Sequence, residues 1–501
     1  MKILMIASEM DGIIKTGGLA DFAVALPKAL MSRGHDVRVI LPSYKQADLK
    51  TDRMSMTTDS LSFNLNHTDH YGCLIYHTAL DGIAVRIVEH NDFFNREGIY
   101  DNGSYAYPDN PLRYAFLCKA AIELCLREKW IPDIVHCNDW QTAITPYYLK
   151  EHYSHHPELK HIRSLLTIHN GAYQGKAAPE WIHPLGIPPQ HFTSELMEEH
   201  GLLNLLKCGI MYSDAINAVS PGYCEELLMP ETSHNLWLYL NKRRSDFTGI
   251  LNGCDYRQWN PSTDPFLPHP FSANNIAGKV LCKAELQSRM GLPANPDFPI
   301  LGLIARLVEQ KGFDYLIPAL EKLLYEDAPL QLVLLGSGDP KYGSRLHFLQ
   351  KRYPQKMGFV NGYDNELSHL IEAGSDYFMM PSLFEPCGLN QLYSLAYGTL
   401  PIVRETGGLK DTVVGLAPDH GNAPPPSTSA SKNKRFATGI SFIHPDSQGC
   451  YWALKQAITF YLECPKLYRQ MQQQAMRQLF TWEETAGMYE ILFENLLKKP
   501  I

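Results

Sequence analysis

Short apolar runs of strand length alternate with amphipathic helical runs, and the alternation occurs twice, on either side of a segment with neither period. "KILMIA" (2–7) is the first strand-like run. "LADFAVALPKALMSRGH" follows it, and places Leu19, Phe22, Ala23, Leu26 and Leu30 at i, i+3, i+4, i+7 and i+11, one face of a helix. Pro27 inside that run predicts a kink, not two separate helices. Gly34 supplies a stop, and "DVRVILP" (36–42) is the next strand. "GCLIYHT" (72–78), "AVRIVE" (84–89), "DIVHC" (133–137), "SLLTIH" (164–169) and "DAINAVS" (214–220) continue the series, most of them separated by helical stretches. Such alternation predicts a parallel sheet covered on both faces, the α/β doubly wound class.

The pattern breaks at "NGCDYRQWNPSTDPFLPHPFSANN" (252–275), rich in Pro, Asn and Asp, which is expected to link two domains. It restarts with "PILGLIARL" (299–307), "LQLVLLG" (330–336), "MGFVNG" (357–362), "DYFMMPS" (376–382), "TLPIVRE" (399–405) and "ATGISF" (437–442). Two Rossmann-like domains, 1–251 and 276–475, are therefore expected. "EETAGMYEILFENLLKK" makes 476–501 a closing amphipathic helix, and "GNAPPPSTSASKNKR" (421–435) has the composition of a mobile surface loop.

Composition narrows the function. A net charge of −8 argues against a nucleic-acid partner, which needs a basic face. The eleven cysteines include no C-x-x-C pair, which argues against zinc ribbons and thioredoxin-type sites and suits a reducing cytoplasm. No run approaches the ~18 apolar residues of a membrane span. The N-terminal run is too short for a secretory h-region, so no membrane partner is expected. No pattern speaks to oligomeric state.

Two stretches nearly repeat: "KTGGLAD" (15–21) and "ETGGLKD" (405–411), each in the first turn between a strand and a helix. A Gly pair there lets backbone approach a ligand, and the helix N-terminus attracts anions. Arg306 and Lys311 stand at a strand end and the following helix start, a planar fork and a point charge suited to a pyrophosphate. Glu385, pinned by Pro386 before Gly388 and a helix, is placed to accept from sugar hydroxyls or to support positive charge at a reacting carbon. Cys387 beside it is packing or substrate lining, with no sign of thiolate chemistry. His169 ends a strand before Asn170 and Gly171, where it can donate to a hydroxyl. Asp139 precedes a helix, where an N-cap explains it equally well, and the same holds for Asp21.

"KTGGLADFAVALPKAL", "HCNDWQTA", "TIHNGAYQG", "LNGCDYRQWNP", "ARLVEQKG" and "SLFEPCGLNQLYSLAYGTLPIVRETGGLKDTV" occur in one order along nearly the whole chain. In these blocks the chain resembles the bacterial glycogen (starch) synthases, retaining glucosyltransferases that use ADP-glucose. The resemblance implies two Rossmann-like domains facing across a cleft (the GT-B arrangement), with the final helix crossing back to the first. It implies an ADP-glucose donor, an α-1,4-glucan acceptor and no cofactor or metal. Lys15 would meet the nucleotide-sugar phosphates, Arg306 and Lys311 the departing diphosphate, and Glu385 and His169 the glucose ring. Asp139 would lie near the reacting centre or the acceptor. Gly17, Gly18, Gly408 and Leu409 would line the cleft, and Asp21, Asn170, Asn252, Cys387, Gly388, Leu389, Thr406 and Gly407 complete the expected substrate-binding set. Two positions depart from the family: Gly171 where Leu is usual, and Asn390 where many members carry Thr.

Rival functions remain at this level. Another nucleotide sugar would suit the same fold. "LGSGDP" (335–340) hints at a dinucleotide oxidoreductase, but its G-x-G-x-x-G is incomplete. A non-enzymatic glucan-binding protein would not need Lys15, Arg306, Lys311 and Glu385 intact. The resemblance leaves two routes to retention: a covalent intermediate on Glu385, or front-face attack with the leaving phosphate taking the acceptor's proton.

Overall fold

The computed structural model describes residues 1–47, 49, 56–66, 68–416 and 436–500, so the expected loop at 421–435 lies outside the described residues. The chain forms two compact units, Met1–Gly253 with Trp482–Ile501, and Cys254–Thr481.

In the first unit the strands are β1 (Lys2–Ile6), β2 (Asp36–Pro42), β3 (Thr57–Asn64), β4 (His70–Leu80), β5 (Ile83–Glu89), β6 (Ile134–Asn138) and β7 (Arg163–Ile168). After them come β8 (Lys176–Ala177), β9 (Glu198–Glu199), β10 (Leu202–Asn204), β11 (Ala215–Ala218) and β12 (Phe247–Gly249). The main sheet runs β12-β11-β7-β6-β1-β2-β5-β4-β3, and β8-β10-β9 make a small antiparallel sheet. From β12 to β5 every pair is parallel. The expectation of a purely parallel sheet is corrected at one edge, where β5, β4 and β3 pair antiparallel. β3 exposes most of its length and carries Thr, Asp and Ser, so it lacks the apolar run that marked the buried strands.

The first helix, Gly18–Ser32, is a single element with Pro27 buried inside it. Gly34 follows at φ +89°, a conformation that favours glycine. The last helix, Trp482–Lys498, packs on it: Phe22 meets Trp482 and Tyr489 edge-on, each at 5.9 Å between ring centres. Trp482, Ala486, Tyr489, Phe493 and Leu496 join the core of the first unit. Each fully buried large apolar side chain contributes roughly 1.5–3 kcal/mol, so this helix belongs to the first unit energetically as well as spatially.

The second unit contains β13 (Ile300–Ile304), β14 (Gln331–Gly336), β15 (Met357–Asn361), β16 (Tyr377–Met380), β17 (Leu400–Arg404) and β18 (Ile440–Phe442). All its pairs are parallel, in the order β15-β14-β13-β16-β17-β18. That is the doubly wound order 3-2-1-4-5-6, in which ligands bind beyond the strand C-termini where the order reverses, here between β13 and β16. The same reversal falls between β1 and β6 in the first unit.

The division between units falls at Gly253 and Thr481, inside the segments expected as linker (252–275) and closing helix (476–501). From Cys254 onward the Pro-rich stretch is part of the second unit. Trp259 stacks between His369 and Tyr393, with ring centres 4.0 and 3.9 Å apart. Buried Asp264 accepts from His369 Nδ1 at 2.7 Å and from the Tyr397 hydroxyl. Irregular backbone here is held by side chains and not by a ladder, which is why it carries neither period. In "LGSGDP", Gly338 packs on the Leu307 backbone and Asp339 caps the next helix through Lys341 N at 2.8 Å, so the turn serves packing.

Candidate active site

In the first unit the site grows from the loops after β1, β6 and β7. Glu9, missed by sequence reasoning, is 3% exposed and organises the first Gly turn. Its carboxylate accepts from Thr16 N (2.5 Å), Thr16 Oγ1 (2.6 Å), Gly17 N (3.2 Å) and the Tyr100 hydroxyl (2.5 Å). Two amides expected to await an anionic ligand are thus already occupied. Lys15 Nζ bonds Asp21 Oδ1 at 2.5 Å and lies 3.6 Å from Asp11 Oδ2. Burial pushes the Asp21 pKa up, and Lys15 opposes that shift. Gly17 faces open space, whereas Gly18 begins the helix.

Asp139 follows β6 in the left-handed region, φ +56°, which a non-glycine residue adopts at a cost of roughly 1 kcal/mol or more. Its Oδ1 does not cap its own short helix. It accepts from His169 N at 2.7 Å and Asn170 N at 3.2 Å, both after β7. Burial raises the Asp139 pKa to about 7, against the lowering effect of those two amides.

His169 is held at about 3 by burial, so it is neutral at working pH. Asn138 turns its amide nitrogen to Ile6 O (3.0 Å) and His136 O (3.3 Å), leaving Oδ1 for His169 Nε2 at 2.9 Å. Nε2 therefore carries the proton, and Nδ1 is left as an acceptor. Where a donor to a sugar hydroxyl was expected, this arrangement offers an acceptor. Phe22 packs edge-on against the ring at 4.6 Å. Gly171, one of the two departures, has a close packing reason: its N–H donates to the Tyr223 hydroxyl at 2.8 Å, and a Cβ would stand 3.1–3.2 Å from Leu227, Leu236 and Tyr223. Asn252 is buried, with Oδ1 unpartnered among the described residues.

In the second unit Lys311 and Glu385 meet directly, Nζ to Oε2 at 2.5 Å, and Ser382 Oγ donates to the same oxygen at 2.8 Å. Arg306 is exposed, with no side-chain partner among the described residues. Arg404, also missed from sequence, holds the 382–385 loop by donating to Ser382 O (2.8 Å) and Leu383 O. Gln310 adds a bond to Phe384 O at 3.1 Å. Gly312, at φ +76°, lets the Lys311 turn approach this loop, since a Cβ there would fall 1.9 Å from Pro381 O. Asn390, the other departure, donates to Ile304 O at 2.9 Å and ties its helix to the end of β13.

The second Gly turn does a different job from the first. Gly408 N donates to Glu385 O at 3.0 Å, and a Cβ on Gly408 would stand 2.2 Å from Cys387 O. This glycine lets two loops touch, while Gly17 faces open space. Thr406 and Leu409 were expected to line the substrate, but their side chains are 1% and 0% exposed. Only their backbone is left for that role, because the leucine fills the core under the sheet. Gly388 at φ +73° and Gly407 at φ +43° are positions where a side chain would be strained. Buried Cys387 and half-buried Leu389 give their carbonyls to Gln391 Nε2 (2.9 Å) and Leu392 N (2.9 Å).

Asp139 makes stability depend on pH. Its folded pKa of about 7 lies above the ordinary 3.8. Between those values the folded chain binds more protons than the unfolded one, so stability falls as pH rises through the window. Asn also tolerates the left-handed region and keeps the carbonyl acceptor. Asp139→Asn is thus expected to be more stable than the parent at about pH 8, by up to about 4 kcal/mol, and alike near pH 4. An unchanged difference across that range in paired thermal melts contradicts the buried-carboxylate assignment.

The Starch synthase catalytic domain family matches residues 2–242, and Glycosyl transferases group 1 matches residues 286–478. With two doubly wound units, they define a glycosyltransferase. A glycogen synthase of Aeromonas salmonicida (strain A449) is 42% identical over 503 residues, covering 100% of this chain and 99% of its own. Glycogen synthase 2 of Geobacter metallireducens is 39% identical over 495 residues, covering 99% of each. The catalytic domain of starch synthase IV from Arabidopsis thaliana, solved with ADP and acarbose, superposes with a TM-score of 0.88 at 32% identity, covering 99% of each chain. The chain belongs to the glycogen and starch synthase family, glycosyltransferases of the GT-B class that build glycogen or starch. Among the described residues no helix is long and apolar enough to cross a membrane.

Proposed function

We propose that this chain transfers glucose from ADP-glucose to the non-reducing 4-hydroxyl of an α-1,4-glucan, with retention of configuration and release of ADP. The observation that carries it is the Lys311–Glu385 contact at the C-terminal end of β16, on a sheet of nucleotide-binding order. The ADP and acarbose bound to the Arabidopsis relative support the donor and the glucan acceptor.

Bond breaking at the anomeric carbon leaves positive charge on the sugar and negative charge on the departing diphosphate. Lys311 has three N–H donors and spends one on Glu385, so two remain for phosphate oxygens. Arg306 supplies a planar fork to the same group. Lys15, in the first unit, is a further cation suited to the donor phosphates. Glu385 keeps Oε1 for a sugar hydroxyl, and His169 Nδ1 accepts another. Asp139, held over the end of β7, belongs to the acceptor side.

The developing charge is met by these cations. Among the described residues no three His, Cys, Asp or Glu side chains cluster as metal ligands. Retention proceeds by front-face attack, because Glu385 Oε2 is engaged by a cation and a hydroxyl, which blunts its nucleophilicity. A cytoplasmic site of action fits the eleven cysteines, all free thiols.

A donor panel tests the assignment. ADP-glucose, UDP-glucose and GDP-mannose are offered with maltohexaose, and nucleotide release and product length are read. ADP-glucose is expected to elongate the chain fastest; preference for either other donor overturns it.

A further inference from the structure

The loop after His169 is pinned at most of its polar groups. Asn170 N is held by Asp139 (3.2 Å), Gly171 N by Tyr223 (2.8 Å), Ala172 N by Asn170 Oδ1 (3.1 Å) and Tyr173 N by Asn170 O (3.2 Å). Gln174 donates to Gly171 O (3.0 Å) and His234 O (2.7 Å), and accepts from Asn204 (2.7 Å). Gly175, at φ +61°, packs so tightly on Trp140 that a Cβ would lie 2.3 Å from its ring. From this fixed loop one large side chain projects: Tyr173, 57% exposed, whose ring and hydroxyl have no hydrogen bond or ring contact to any described residue.

A lone exposed aromatic is ordinary on a protein surface. Here the backbone beneath it is immobilised, and two hydrogen bonds link it through Asn170 to Asp139. A rigid ring with few torsions loses little entropy when a flat apolar face settles on it. The C–H face of a glucose unit is such a surface.

We propose that Tyr173 is an acceptor-binding residue, its ring stacking on a glucose unit of the α-1,4-glucan beside Asp139 and His169. This rests on the assignment of the chain as an ADP-glucose-dependent glucan synthase. Neither a charge nor a hydrogen bond of the hydroxyl is required, so the aromatic face alone should suffice.

Two readouts on the full chain test it. In steady-state ADP release, Tyr173→Ala is expected to raise the KM for maltohexaose about tenfold, with the ADP-glucose KM within about twofold. Tyr173→Phe and Tyr173→Trp should keep the parent acceptor KM. In native gels containing glycogen, which need no donor, Tyr173→Ala should be retarded less than the parent at equal melting temperature. An unchanged acceptor KM with unchanged retardation, or an equal rise in both KM values, overturns the proposal. Failure of the donor assignment shows separately, as no ADP release by the unsubstituted chain, and the gel then still decides Tyr173.

Discussion

Arg306→Ala is expected to lower kcat by a few hundred-fold and leave the melting temperature unchanged, whereas Lys311→Ala loses as much turnover and also melts lower. The turnover loss follows from removing a preorganised charge opposite a developing negative one, about 2.7–4 kcal/mol by analogy with oxyanion donors. The stability difference follows from where each cation sits. Arg306 is exposed and has no side-chain partner among the described residues, so its loss strips nothing from the folded state. Lys311 is bonded to Glu385, which is only 7% exposed. Removing it leaves a buried carboxylate with the Ser382 hydroxyl as its remaining side-chain donor, a penalty of about 1–3 kcal/mol. Kinetics with ADP-glucose and thermal melts of both variants check this together. Near-normal turnover in both removes the leaving-group role.

Glu385→Gln is expected to cut turnover by at least about a hundredfold, and rapid-quench mass spectrometry of the parent enzyme should find no glucose attached to Glu385. The amide keeps the volume and the Ser382 contact but drops the charge that pairs with Lys311 and supports the sugar cation. A turnover loss without an adduct marks an electrostatic role and front-face attack. A glucosyl adduct mapped to Glu385 would reverse that choice, because the carboxylate would then be the nucleophile despite its two hydrogen bonds.

The near-repeat of T-G-G-L-x-D suggested a turn in each domain that lets backbone approach a ligand. The second turn is a packing device, with Gly408 against Cys387, and the first has two of its amides occupied by Glu9. Neither fact could be read locally. Glu9 lies six residues before Lys15, but its meaning depends on Tyr100, 91 positions away. His169 was visible as a strand-terminal histidine, yet its tautomer is set by Asn138, on the neighbouring strand. Arg404 looked like the tail of a strand, and only the fold shows it gripping the 382–385 loop. The edge strand β3 escaped because most of its length is exposed and polar and carries no apolar run, whereas β4 was legible at 72–78.

Periodicity was enough to determine the doubly wound class, most of the strands on both sides of residue 252 and the amphipathic closing helix. Local patterns report how a segment meets apolar surroundings, and that is a short-range property of the chain. Partnerships such as Lys311 with Glu385, 74 residues apart, or Tyr489 with Asn217, 272 apart, were decided by the tertiary structure alone. Strand order and helix packing bring those groups within hydrogen-bond reach, and nothing in the spacing of either residue along the chain encodes where the other will be.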